Sequence, residues 1–170
     1  MTAVSPETMA MLLMFDVPGG MQLSDAQNHG HACVWCGLYL PAGTGTELGG
    51  VAPWRPTACP PCLVARARWF EVYQTWCAHQ ETCANCIGMQ RCEYATGYRR
   101  MFRFAHAATG RAPLRCAVCR WDIIGDDAFA PFRAEGLSAP VMFLFAHVPQ
   151  CPSRKRHQYH APRPRRGTGH

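Results

Sequence analysis

Between Cys62 and Cys77 the stretch LVARARWFEVYQTW contains neither glycine nor proline. Leu63, Ala67, Phe70, Tyr73 and Cys77 recur there at steps of three and four, the period of one helix face, and Pro60-Pro61 stands ahead as a starter. Val64, Trp69, Val72 and Trp76 spread apolar surface around the remaining circumference, which predicts a helix over about 61–78 buried on more than one side. A second helix is predicted from about Arg91 to Ala108. Tyr94, Tyr98, Met101, Phe102 and Ala105 share one of its faces and are assigned to the core; Arg99, Arg103 and His106 share the other and are assigned to solvent. Ser5-Pro6-Glu7 reads as the capped start of a short helix. Late in the chain, Val141-Met-Phe-Leu-Phe-Ala146 reads as a buried strand, with Trp121-Asp-Ile-Ile124 as its partner.

Cysteine changes this picture. The chain of 170 residues carries eleven cysteines and eight histidines. Such a count means disulfides in an oxidising compartment or metal in a reducing one. Eight of the eleven fall in four Cys-x-x-Cys pairs, Cys33/Cys36, Cys59/Cys62, Cys83/Cys86 and Cys116/Cys119. A tight turn aims such a pair at one ion, whereas disulfide frameworks scatter their cysteines. The apolar run Met9–Phe15 is too short for a bilayer and has no basic residues ahead of it, so neither a secretory signal nor a membrane span is read. The expectation is a cytoplasmic α+β protein of small zinc-stabilised modules with two main helices. Its segments are an N-terminal helix and linker (1–28), a double-cluster module (29–110), a third knuckle module (111–152) and a disordered basic tail (153–170).

Two to three zinc ions are expected, from three candidate ligand sets. Cys33, Cys36, Cys59 and Cys62 form the first, two pairs about twenty residues apart in the spacing of a zinc ribbon. The third joins Cys116 and Cys119 to His147 and Cys151, three thiolates and one imidazole. Between them, Cys83, Cys86 and Cys92 need a fourth ligand. His79 lies four residues before Cys83 on the same helical face and is favoured; Cys77, on the apolar face, stays open.

The run Cys33-Val-Trp-Cys36-Gly, Cys59-x2-Cys62 and His79-x3-Cys83-x2-Cys86-x5-Cys92, followed by Tyr98-Arg-Arg-Met-Phe-Arg103, resembles a family of small cysteine-rich proteins of actinobacterial type. The likeness covers residues 29–108 and implies His79 as a ligand, but no function. More locally, Cys83-Ala-Asn-Cys86-x5-Cys92 is similar to the cysteine block of WhiB-like regulators, which implies a [4Fe–4S] cluster completed by Cys77 or Cys62. The glycine-rich turn with a central tryptophan that should follow is missing. His79-Gln-Glu81 followed by Cys116-x2-Cys119 has the outline of a zinc deaminase, but Arg115 stands where that pattern has proline and nearer cysteines compete for His79. The chain is therefore read as a non-enzyme.

The net charge of +6 comes from two basic blocks. Residues 91–120 set seven arginines against Glu93 alone, and the tail adds six cations, among them Arg154, Lys155 and Arg156. Arginine is suited to bidentate phosphate contact. Arg99, Arg100 and Arg103 with the tail are the candidate contacts for DNA or RNA. The competing expectation is a protein–protein adaptor.

Overall fold

The computed structural model describes residues 4–88, 90, 92–131, 143–148 and 151. These fall into two compact units divided between Ala112 and Pro113. Mixed helix and small antiparallel sheets make up the described residues.

The first unit starts with α1 (Pro6–Phe15), where Ser5 accepts the Thr8 amide at 3.1 Å and Pro6 occupies the position whose N–H has no helical partner. A short 3-10 turn (Gly20–Gln22) and α2 (Asp25–Asn28) lead into the first cysteine turn. Strands β1 (Thr46–Glu47) and β2 (Thr57–Ala58) pair antiparallel, with Thr46 opposite Ala58. Helix α3 (Pro60–Thr82) follows at once. It runs a turn beyond the expected 61–78, because Ala78-His79-Gln80-Glu81 offers no breaker before Cys83. A single turn, α4 (Ala84–Ile87), separates it from α5 (Glu93–Ala108), which packs along α3.

The α3–α5 seam holds the core. Phe102 is fully buried, its ring centroid 5.8 Å from Trp69, 6.3 Å from Tyr73 and 5.9 Å from Trp76. The three partners stand at i, i+4 and i+7 on α3, so a single side chain from α5 fills the space between two turns. Each such ring pair adds about 0.5–1.5 kcal/mol beyond its burial.

Beside this seam lies a buried ionic cluster that sequence patterning does not expose. Asp16, which ends α1, receives Arg66 from α3 at 2.7 Å and pairs with Arg111 just past α5. Arg66 also donates to the Thr109 carbonyl at 3.3 Å and lies 4.6 Å over the Trp35 ring, while Arg111 lies 3.9 Å over Trp69. Burial pushes the Arg111 guanidinium down to about 10. With its carboxylate and the two indole faces in place, the pair of cations is compensated.

The second unit is smaller. Strands β3 (Phe129–Pro131) and β4 (Phe145–His147) pair antiparallel, Phe129 opposite His147. Phe129 and Phe145 meet edge to face at 5.7 Å and, with Ile123, form its buried apolar centre. The strand carrying His147 therefore pairs with 129–131. Residues 121–124, the expected partner, contribute only a bridge between Arg115 and Asp122. Residues 141–142 of the expected strand and the tail from 152 onward, including Arg154, Lys155 and Arg156, lie outside the described residues.

On α5 the faces are partly exchanged. Phe102 and Ala105 point inward as expected, but Tyr94 and Met101 are exposed, while Arg99, Arg103 and His106 are half-buried. Packing of Phe102 against three aromatic rings sets the helix rotation, and the other apolar residues follow from it.

Candidate metal centres

Among the described residues three groups of four donors form, and each is a candidate set anticipated from the sequence: Cys33, Cys36, Cys59, Cys62; His79, Cys83, Cys86, Cys92; and Cys116, Cys119, His147, Cys151. Within each group all the ligand atoms lie within 4.8 Å of one another. The separations bear on fit. A tetrahedral ion with bonds of about 2.3 Å sets its thiolates about 3.8 Å apart. Cys36 and Cys59 stand 3.9 Å apart, Cys83 and Cys92 3.9 Å, and Cys116 and Cys151 3.6 Å. None of the eleven cysteines is in a disulfide.

The first centre begins with a tight turn. Cys33 takes the Leu38 carbonyl at 2.7 Å and Gly37 returns its amide to the Cys33 carbonyl at 2.9 Å. The turn needs a positive φ at Gly37, +72°. Val34 then donates to Thr57 on β2, which holds the turn against the strand that leads into Cys59. Cys59 is the N-cap of α3 and Cys62 lies in its first turn. The second pair thus sits on a helix start, whereas a zinc ribbon would place it on a second turn; the positive end of the helix faces the thiolates. Burial pushes the Cys33 thiol up, but the backbone N–H groups of Cys36, Cys59 and Trp35 outweigh it and bring it down to about 7. Burial and neighbouring thiols push Cys62 strongly up. The charges of Cys62, Cys33 and Cys36 act on Arg66, so the buried ionic cluster stands next to this centre.

The second centre is built where three helices meet. His79, in the last turn of α3, brings Nε2 to 3.3 Å from Cys92 Sγ. Cys83 links α3 to α4, and Cys92 is the N-cap of α5, its sulfur accepting the Ala95 amide at 3.4 Å. Cys77 lies outside the group. The extension of α3 beyond 78 carries His79 into reach. The backbone N–H of Cys86 leads the lowering of Cys83, and burial with the thiols around it pushes Cys86 up to about 12.

The third centre repeats the turn of the first. Cys116 takes the Trp121 carbonyl at 2.8 Å and Arg120 returns its amide at 2.9 Å. Arg120 occupies the place of Gly37 with φ +66°. Ala117 donates to Phe145 as Val34 does to Thr57, and Ile123 donates to Leu114 as Leu40 does to His31. His147 then stands where Cys59 stood. Its Nδ1 is 3.4 Å from Cys119 Sγ, and its Nε2 lies 3.7 Å from Asp127 Oδ2. A carboxylate on that side of a ligating imidazole helps to orient the ring. Burial raises the Cys116 thiol, and the N–H groups of Cys119, His147 and Val118 override it to give about 6. Cys151 is pushed up to about 11, chiefly by burial.

All three groups share one electrostatic property. One thiol of each is prepared to ionise and another is held protonated, first by burial and then by the thiols around it. A cation at the centre removes that conflict, since every cysteine can then bind as thiolate. No family model matches this chain, and no curated protein or solved structure is similar to it. Among the described residues no helix is long and apolar enough to cross a membrane.

Proposed function

We propose that the chain is a non-enzymatic protein organised by three structural zinc ions, acting in the reducing cytoplasm by binding nucleic acid. The observation that carries the zinc reading is closure. Each centre offers four protein donors within 4.8 Å, so a tetrahedral ion keeps no position for a reactant. Three or four thiolates per site suit zinc. A [4Fe–4S] cluster places each thiolate on its own iron and so spreads its ligands further apart; the close donors of the second centre argue against the iron–sulfur reading. Metal analysis tests this. Protein purified without added metal should carry about three zinc and no iron per chain, and a brown preparation with about four iron would sink the assignment.

The nucleic-acid reading rests on the arginines of α5, with Arg100 exposed and Arg99 and Arg103 half-buried beside it, and on the six cations after residue 153. Salt dependence is its test. Binding to nucleic acid should weaken steeply between low and physiological salt, with a logarithmic slope of roughly 0.7–0.9 for each phosphate the protein neutralises. The adaptor reading has its own support in the exposed Val64, Met101 and Phe104, and gains if no nucleic acid binds at low salt.

A further inference from the structure

Helix α5 carries a second stripe that its packing against α3 leaves largely outward. Tyr94, Gly97, Met101 and Phe104 follow one another at steps of three and four, so they share one face. That face is outward: Tyr94 is 76% exposed, Met101 44% and Phe104 79%. Single exposed apolar residues need no explanation, but a continuous line of them on one helix does.

Gly97 sharpens the point. Glycine inside a helix lowers its stability relative to alanine. A Cβ at position 97 would meet nothing within 4 Å, so no contact among the described residues asks for glycine there. The residue leaves a gap in the outward stripe, with Tyr94 on one side and Met101, then Phe104, on the other. A partner that approached the helix closely at that point would use the gap.

Charge indicates what it is. Arg100 is exposed on the flank of the stripe, and Glu93 is the only acid between residues 91 and 120. A second copy packed face to face would bring arginine-rich helices together. An anionic membrane would take up the aromatic rings and the arginine but gain nothing from a glycine. A single strand uses all three features: ring faces for bases, guanidinium for phosphate, and an open backbone for the sugar between them. Tyr94 and Phe104 are ten residues apart, about 15 Å along the axis, long enough for a short run of nucleotides. A duplex hides its base faces and cannot stack in this way.

We propose that the outward stripe of α5 is a stacking platform for single-stranded nucleic acid, in which Tyr94 and Phe104 carry bases, Arg100 meets phosphate and Gly97 admits the strand. This rests on the nucleic-acid reading above and names its ligand class. The second metal centre fixes where the platform starts, since Cys92 caps α5 and the Tyr94 ring lies 6.0 Å from the His79 ring.

The test uses the full zinc-loaded chain with labelled oligothymidylate, oligouridylate and a duplex of equal length. Phe104→Leu and Phe104→Ala should weaken both single strands on the order of tenfold, the loss of one stacked base, while Phe104→Trp holds. Gly97→Leu should weaken them comparably, whereas Gly97→Ala folds at least as well as the parent. Zinc content stays unchanged throughout, and the thymidylate and uridylate arms tell DNA from RNA. Phe104→Leu binding like the parent overturns the platform. So does equal affinity for duplex and single strand with the stripe variants neutral, which leaves the broader nucleic-acid reading standing. No binding to any probe removes both. Uptake by anionic vesicles, or a dimer that Phe104→Ala dissolves, without oligonucleotide binding, assigns the stripe to those partners instead.

Discussion

The first and third centres are the same device built twice and supported differently. Both begin with a cysteine turn closed by the same two hydrogen bonds, both lay that turn on the second strand of a small hairpin, and both take the next ligand at that strand's end. Beyond that point they diverge. After Cys59 the chain enters a helix of 23 residues whose far side buries Trp69, Trp76 and Phe102. The unit that holds His147 buries two phenylalanines and an isoleucine among its described residues, with Asp127 3.7 Å from the imidazole. The first unit thus has a core that stands apart from its candidate metal centre, whereas the described residues of the second are little more than ligand turns and one small sheet. The same ligand geometry contributes very different fractions of stability, depending on how much apolar surface the chain around it can bury.

Metal removal should separate the two most strongly. A structural zinc contributes on the order of 10 kcal/mol in small modules, more than the apolar centre of the second unit can supply. Under a strong chelator, hydrogen exchange should show the amides of Cys116, Ala117 and Ile123 losing all protection. The α3–α5 seam should keep part of its protection as a looser helical pair. Equal loss in both units would break the comparison.

The converse experiment attacks the core. Phe102→Ala removes a ring held among three others and should destabilise the first unit by about 3–5 kcal/mol. Asp16→Ala leaves Arg66 and Arg111 buried without their carboxylate and should cost a similar amount, about 3–5 kcal/mol. Denaturant unfolding measures both. Metal content at Cys116, Cys119, His147 and Cys151 should not change in either variant, and its loss would show that the units are not independent.

The ligand sets are legible in the sequence because spacing alone limits which thiols can reach one ion. The side of the helix each occupies favours His79 over Cys77 without closing the choice, which the donor placement then makes. The fold around them is less legible. Cys59-x2-Cys62 looks the same on a turn as on a helix start; Pro60-Pro61 and the helix expected from about 61 point to the helix start, while the spacing alone reads as a zinc ribbon. The duplication is hidden because it lies in backbone hydrogen bonds, with Gly37 matched by Arg120 and Cys59 by His147. The rotation of α5 escapes the pattern because Tyr94, Met101 and Phe102 are all apolar, and only packing against α3 decides which of them is inside. Asp16, Arg66 and Arg111 are far apart in the chain and carry no spacing signal at all.

A finer difference between the twin centres lies behind the third ligand. A thiolate at position 59 has no second nitrogen to anchor, whereas His147 presents Nε2 towards Asp127. Asp127→Asn keeps the acceptor for the Ile124 amide, 3.0 Å away, and removes only the charge. Zinc affinity at the third centre should fall about 10- to 100-fold, as for other carboxylates behind a ligating histidine. Competition with a chromophoric chelator reads it, and an unchanged affinity would reduce Asp127 to a turn residue.

The smallest effect concerns the residue that closes each turn. Gly37 and Arg120 adopt the same left-handed backbone, φ +72° and +66°. This conformation costs a side chain about 1–2 kcal/mol that glycine avoids. A Cβ at Gly37 meets nothing within 4 Å, so Gly37→Ala tests backbone strain without a clash. It should weaken the first centre by about 1 kcal/mol. Arg120→Gly should do the reverse in the second unit, but by less, because glycine also gains freedom in the unfolded chain. Since metal binding and folding are linked at such sites, about 1 kcal/mol appears as roughly a fivefold change in zinc affinity. Tighter zinc in Arg120→Gly would mark the arginine as a residue the turn tolerates. Weaker zinc would mean that the exposed Arg120 side chain contributes more to its centre than the strain it imposes.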